Sequence, residues 1–315
     1  MELFDVRCDA PRRVLVSPQH EIYFRPPGNP QGRPSSRRPY REASSAVQPS
    51  DAGLSRGHSP VSGPMIEVTG LTKRYGDFTA VRELSFTVRA GEVMGLVGPN
   101  GAGKTTTLRC ATGIIPATLG TTRIGGLDLA ADPVGAKRQL AFIPDEPRLF
   151  DYLTVWQHLN FVARLYGVAD YERRADPILT ELEMSDKKQL LPGELSRGMK
   201  QKLAIACGLL HDPKVVIFDE PLTGLDPGGI RRMKEVMRRL ARDGAAIILS
   251  SHLLSLLEEV CTHVLILKDG VKVADGTMDE VHARFSGGSN LSLEEVFFRA
   301  TGETDGAAVP PVISP

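Results

Sequence analysis

From Met65 onward the sequence predicts an α/β domain with a largely parallel sheet, and three observations carry that prediction. Short β-rich runs alternate with helical ones. One of these runs, "VVIFD", is apolar up to its closing carboxylate, as a strand buried on both faces requires. Between Leu149 and Leu210 the strand signals vanish and apolar residues recur at helical spacing. Taken in order, "MIEVTGL" opens the first strand, and "LSFTV", "EVMGLVG", "VVIFD", "AAIILSS" and "HVLILK" follow. The last runs into Asp269-Gly270, a pair suited to a hairpin turn. The helical runs "LTVWQHLNFVARLYG", "YERRADPILTELEM" and "SRGMKQKLAIACGLL" form a subdomain, about 149–210, inserted into the sheet-bearing core. No internal repeat is visible, so one copy of this unit is expected.

Composition narrows the function classes. The 315 residues are 41% apolar, enough for a real core, and 38 basic residues balance 38 acidic ones. No net basic field points to nucleic acid, and no nucleic-acid partner is expected. Cys8, Cys110, Cys207 and Cys261 lack CxxC spacing, so they read as reduced thiols and not as a zinc site or a disulfide framework. Without a run of 18 apolar residues or a secretion leader, any membrane role needs a partner. Residues 1–64 differ from the rest: they hold ten of the 23 prolines, nine arginines and no lysine, for a charge of +3. Such a segment buries too little to fold alone, and it reads as a disordered leader or as the result of a start assigned too early. The domain is expected over 65–290, with a C-terminal tail over 291–315.

"GPNGAGKT", Gly98 to Thr105, matches a loop whose backbone N–H groups surround phosphate oxygens at a helix N-terminus. Gly98, Gly101 and Gly103 admit the close approach, with Pro99, Asn100 and Ala102 completing the turn. Lys104 neutralises the β- and γ-phosphates, Thr105 offers its hydroxyl to Mg²⁺, and Thr106 reaches nearer the α-phosphate. The roles need a strand before and a helix after. "EVMGLV" and "KTTTLRCATG" supply them, with Gly113 as the C-terminal cap. Downstream, "KVVIFDEP" delivers Asp219 and Glu220 at a strand end, where an α/β sheet binds ligands. Asp219 suits a Mg²⁺ shell through water, and Glu220 suits general-base or water-orienting work.

Five stretches, "GPNGAGKT", "LSRGMKQ" (Leu195 to Gln201), "VVIFDEP", "GLDP" (Gly224 to Pro227) and "SSH" (Ser250 to His252), stand in the order and spacing of the ATP-binding cassette proteins. The resemblance covers about Met65 to Thr301. It implies a P-loop NTPase (RecA-like) core with an antiparallel β edge and the inserted helical subdomain. It also implies ATP hydrolysis with ATP and Mg²⁺, and a dimer in which each ATP lies between one copy's phosphate loop and the other's signature helix. Ser196 and Gly198 stand where that signature meets phosphate, with Arg197 in place of the commoner glycine. The start of an apparent helix there favours a γ-phosphate through its dipole and free N–H groups. By the same resemblance His252 contacts the γ-phosphate, Asp226 crosses the dimer interface, and Tyr75 in "KRYGDF" stacks on adenine.

Both "LSRGMKQKL" and "SLEEVFFRATG" (Ser292 to Gly302) look like ATPase subunits of bacterial exporters whose membrane channel is a separate polypeptide. The resemblance therefore implies a peripheral subunit at the cytoplasmic face of the cell membrane, a homodimer or a pair with a similar chain, that powers a separate permease. The rival is a soluble cassette ATPase acting on ribosomes or DNA. Such proteins carry paired cassettes or long insertions, which this chain lacks. A second departure lies in "FIPDEPRLFDYLTV", where Asp145 replaces the family's glutamine. Either Asp145 sits directly on the metal, the arrangement favoured here, or it faces the permease and leaves the metal to water, with Glu146 or no residue in its place.

Overall fold

The computed structural model describes residues 5–6, 14–16, 22–24, 63–286 and 291–302. The chain divides into two units, residues 1–58 and 59–315. In the first, three short strands, β1 (Asp5–Val6), β2 (Val14–Val16) and β3 (Ile22–Phe24), pair antiparallel in sequence order. The expectation of a leader over 1–64 otherwise lies outside the described residues.

The second unit holds two sheets. Six strands, β13 (Val271–Thr277), β12 (His263–Lys268), β6 (Val93–Val97), β11 (Ala246–Ser250), β10 (Val215–Asp219) and β9 (Leu140–Ile143), lie side by side in that order. All neighbours pair parallel except β12 with β13. Asp269 (φ 49°) and Gly270 (φ 75°) make that hairpin turn, both in the left-handed region that a type I′ turn demands. The second sheet, β5 (Phe78–Val88), β4 (Ile66–Tyr75), β7 (Leu119–Ile124) and β8 (Leu127–Asp128), is antiparallel throughout and forms the expected edge.

The parallel strands are apolar runs because both faces are covered. Side chains alternate across a strand. Val216, Phe218, Ile247, Leu249, Val264 and Ile266 therefore join one core, whereas Val215, Ile217, Ala246, Ile248, Leu265 and Leu267 join the other. The first core is closed by α3 (Val155–Tyr166), α4 (Tyr171–Glu181), α5 (Arg197–Leu209), α6 (Pro227–Arg242) and α7 (Leu254–Val260). The second is closed by α1 (Lys104–Ala111) and by the antiparallel sheet. Two further helices, α2 (Pro133–Arg138) and α8 (Met278–Ser286), border the sheets.

The helical insertion is α3 to α5. Thr154 and Gln157 cap α3 reciprocally, and Gly167 (φ 70°) ends it. Gly113, with φ 66°, follows α1 in a Schellman arrangement: its N–H donates to the Cys110 carbonyl, and that of Ile114 to the Arg109 carbonyl. Residues 291–302, expected in a tail, instead enter the domain. Helix α9 (Leu293–Thr301) buries Leu293, Val296 and Phe297 in the first core, and the Lys268 ammonium donates to the Thr301 carbonyl. Cys110 and Cys261 are free and buried, and burial pushes the Cys261 thiol up to about 12. Among the described residues no helix is long and apolar enough to cross a membrane.

Candidate functional site

The loop after β6 is shaped by contacts that only glycine permits. A Cβ on Gly98 would lie 2.5 Å from the Leu267 carbonyl oxygen, and one on Gly103 would lie 2.6 Å from that of Ala80. Gly101 (φ 82°) and Gly103 (φ 94°) are left-handed as well. The Gly270 amide of the β12–β13 turn donates to the Ala102 carbonyl at 3.2 Å and backs the loop from behind. Among the described residues, the amides of Gly101 and Gly103 donate to no backbone carbonyl. The first amides of α1 lack intrahelical partners too, as at any helix start. The result is a concave row of N–H donors that fits phosphate oxygens. Lys104 Nζ lies across it, 2.6 Å from the Gly98 carbonyl and 3.1 Å from that of Pro99. Burial pulls its ammonium below the ordinary lysine range, while Glu220 and then Asp219 pull it back.

The neighbouring strands complete the site. Parallel register sets Asp219 beside Ser250, at the C-terminal ends of β10 and β11. The Ser250 hydroxyl donates to Asp219 Oδ1 at 2.7 Å, and Thr105 Oγ1 donates to the same oxygen at 3.3 Å. Asp219 is buried, so these donors compensate a carboxylate largely withdrawn from water. Glu220 follows with φ 52°, a conformation costly for a non-glycine residue. Its amide is fixed by both the carbonyl and the hydroxyl of Ser250, each at 3.1 Å. Its carboxylate accepts from the His252 backbone amide at 3.3 Å and lies 2.8 Å from His252 Nδ1. The chain folds Lys104, Thr105, Asp219, Glu220 and His252 into one continuous polar constellation at the ends of three adjacent strands.

A loop between β6 and α1, lined with free amides and faced by strand-end carboxylates, fits the phosphates of a nucleotide. An ABC transporter family model matches residues 81–223. The ABC-type transporter ATP-binding protein EcsA of Bacillus subtilis is 35% identical over 244 residues, covering 77% of this chain and 98% of that protein. The Nod factor export ATP-binding protein I of Burkholderia orbicola is 36% identical over 213 residues, covering 67% of this chain and 70% of that one. A solved structure described as the ATP-binding subunit of an ABC transporter superposes with a TM-score of 0.72 at 37% identity, covering 75% of this chain and 99% of that one. The chain belongs to the ABC transporter ATP-binding proteins. It is therefore an ATP-binding, ATP-hydrolysing subunit of a transporter.

The other residues expected at this site lie on separate elements. Tyr75 ends β4, half exposed, with the Lys73 ammonium 4.8 Å from its ring centroid. Ser196 caps α5 by accepting from the Met199 amide at 3.2 Å, and Gly198 sits in the first turn of that helix. A Cβ on Gly198 would lie 2.8 Å from the Gly224 carbonyl oxygen. Asp226 caps α6 by accepting from the Gly229 amide at 3.1 Å. Among the described residues, no backbone hydrogen bond ties the amides of Ser196 or Gly198 to the phosphate loop. Arg197 Nη2 donates to Asp145 Oδ1 at 3.2 Å. The sequence did not single out Ser250, although its position in "SSH" opposite Asp219 would have followed from aligning the two strand ends.

Proposed function

We propose that this chain drives a separate membrane permease, as an exporter subunit, through ATP-dependent closure of two copies at the cytoplasmic membrane face. The observation that carries the hydrolytic part is the constellation from Lys104 to His252. The free amides of the loop and Lys104 bind the phosphates. Thr105 and Asp219 would hold Mg²⁺ between them, which supplies charge neutralisation at the β- and γ-phosphates. Their fit is chemical: a hydroxyl and a carboxylate, both hard oxygen ligands, already lie 3.3 Å apart. Glu220, fixed through its amide and aimed by His252, accepts the proton of the attacking water, and His252 orients the γ-phosphate. Across the dimer, Ser196, Gly198 and Asp226 meet the second copy's nucleotide, and Tyr75 stacks on the base.

The permease reading is supported by the helical insertion. Phe150, Tyr152, Phe161 and Leu165 are 53%, 92%, 38% and 65% exposed, and the Phe150 and Phe161 rings meet edge to face at 5.2 Å. Aromatic surface of this kind suits docking of a partner. Export is supported by the Burkholderia relative, named for Nod factor export. The test is Glu220→Gln, which keeps the shape of the site and removes the base. Turnover should fall about 100-fold or more with ATP affinity retained, and ATP should accumulate in a dimer on sizing chromatography. A variant that hydrolyses normally as a monomer overturns the assignment. A polytopic membrane protein is expected to copurify from detergent extracts, whereas ribosomal proteins or DNA would favour the rival.

A further inference from the structure

We propose that Arg197 and Gln201 form a two-point clamp on the loop leaving β9, so that this loop and the start of α5 move as one piece. Asp145 is then a positioning residue and not a magnesium ligand. The inference takes its nucleotide from the function proposed above, and its clamp from geometry alone.

Arg197 and Gln201 stand one turn apart on α5 and share a face. The Arg197 guanidinium donates to the Asp145 carboxylate at 3.2 Å, while the Gln201 side-chain amide donates to the Pro144 carbonyl at 3.1 Å. Gln201 is only 1% exposed, and among the described residues its side-chain oxygen has no partner while its side-chain amide is given to the loop. The arginine has a second support. Gly224 is left-handed at φ 83°, and a Cβ there would lie 3.0 Å from Arg197 Cδ and 3.1 Å from Cγ. The arginine stem therefore lies against bare glycine backbone. Segments 144–145, 196–198 and 224 meet around one side chain. The ion pair is half exposed, 56% and 42% for its two side chains. In water such a pair adds little stability, so its consequence is geometric. It fixes the turn of α5 that carries Ser196 and Gly198 relative to the end of β9. The two departures from the family pattern, Asp145 and Arg197, are thus partners.

The test uses the full chain and the variants Asp145→Ala, Arg197→Ala, Arg197→Lys and the double alanine. ATP hydrolysis is measured over graded ATP and Mg²⁺, and amide exchange over residues 142–150 and 195–200 is measured without nucleotide. Each single alanine should lower kcat about threefold, with KM for ATP and half-saturating Mg²⁺ unchanged. The double should be no slower than either single, and Arg197→Lys should keep most of the rate. Exchange should quicken about threefold in both segments in either single variant. If Asp145→Ala raises half-saturating Mg²⁺ and Arg197→Ala does not, the carboxylate sits on the metal and the inference fails. It fails equally if the two effects multiply, or if Arg197→Ala leaves exchange at 142–150 unchanged. A wild-type chain that binds no ATP strikes the proposed function instead, and the exchange arm still decides the clamp.

Discussion

Two loops leave the same parallel sheet at the same edge, one after β6 and one after β9, and they are held in opposite ways. The first is fixed by backbone: glycines pressed against the carbonyls of Leu267 and Ala80, and the Gly270 amide on the Ala102 carbonyl. The second is fixed by side chains. Arg197 and Gln201 grip residues 144–145, and the Thr154–Gln157 capping box closes its far end. Between them, the buried His158 accepts the Phe150 amide at Nε2 (3.0 Å) and lies 2.8 Å from the Thr154 carbonyl through Nδ1. A loop held by backbone has one solution and tolerates little. A loop held by side chains can be retuned one contact at a time.

The comparison is broken most directly at Gly103. Gly103→Val places a branched side chain at φ 94° with its Cβ 2.6 Å from a backbone oxygen. Stability should fall by about 3 kcal/mol in a urea titration, and ATP binding should be lost in calorimetry. A variant that binds ATP normally would show that backbone packing does not define this loop. Next in size, Thr154→Ala removes one half of the capping box and should cost about 1 kcal/mol, with ATP affinity unchanged. A loss of ATP affinity there would erase the contrast between the loops.

The smallest effect concerns pH. Burial holds His158 below the ordinary histidine range in the folded chain. The unfolded chain therefore binds the extra proton first. The contribution of His158 is fully present above about pH 6.5 and is lost as pH falls from there toward its folded value. The melting temperature should drop on acidification to pH 5.5, and less so in His158→Gln. His211, lowered by burial too, gives a slope of the same sign, so the difference between the two proteins is the measurement. Equal slopes would remove His158 from the account.

The same contrast explains what could be read from the sequence. The phosphate loop and Asp219-Glu220 were legible because each is local: spacing, glycine and a strand end suffice. The Asp145–Arg197 pair spans 52 positions and joins two residues that looked like unrelated exceptions. Strand β7, "LGTTRI", escaped notice because only Thr122 and Ile124 of its six residues are buried, so little apolar alternation marks it. Helix α9 read as a tail because nine residues are too few to be stable alone. Its burial against β12 and β13 is a tertiary fact.

The position of β6 bears on how the chain is made. It lies between β12 and β11, pairing Val93 with Ile247 and Met94 with His263. Both partners are synthesised only after the whole helical insertion, as is the Gly270 amide that backs the phosphate loop. Such distant pairing makes for slow folding, and until it forms β6 lacks its neighbours on both sides in the sheet. On the ribosome, the nucleotide cradle is thus written early and finished late. ATP is therefore expected to stabilise the chain only once translation has passed the β12–β13 turn.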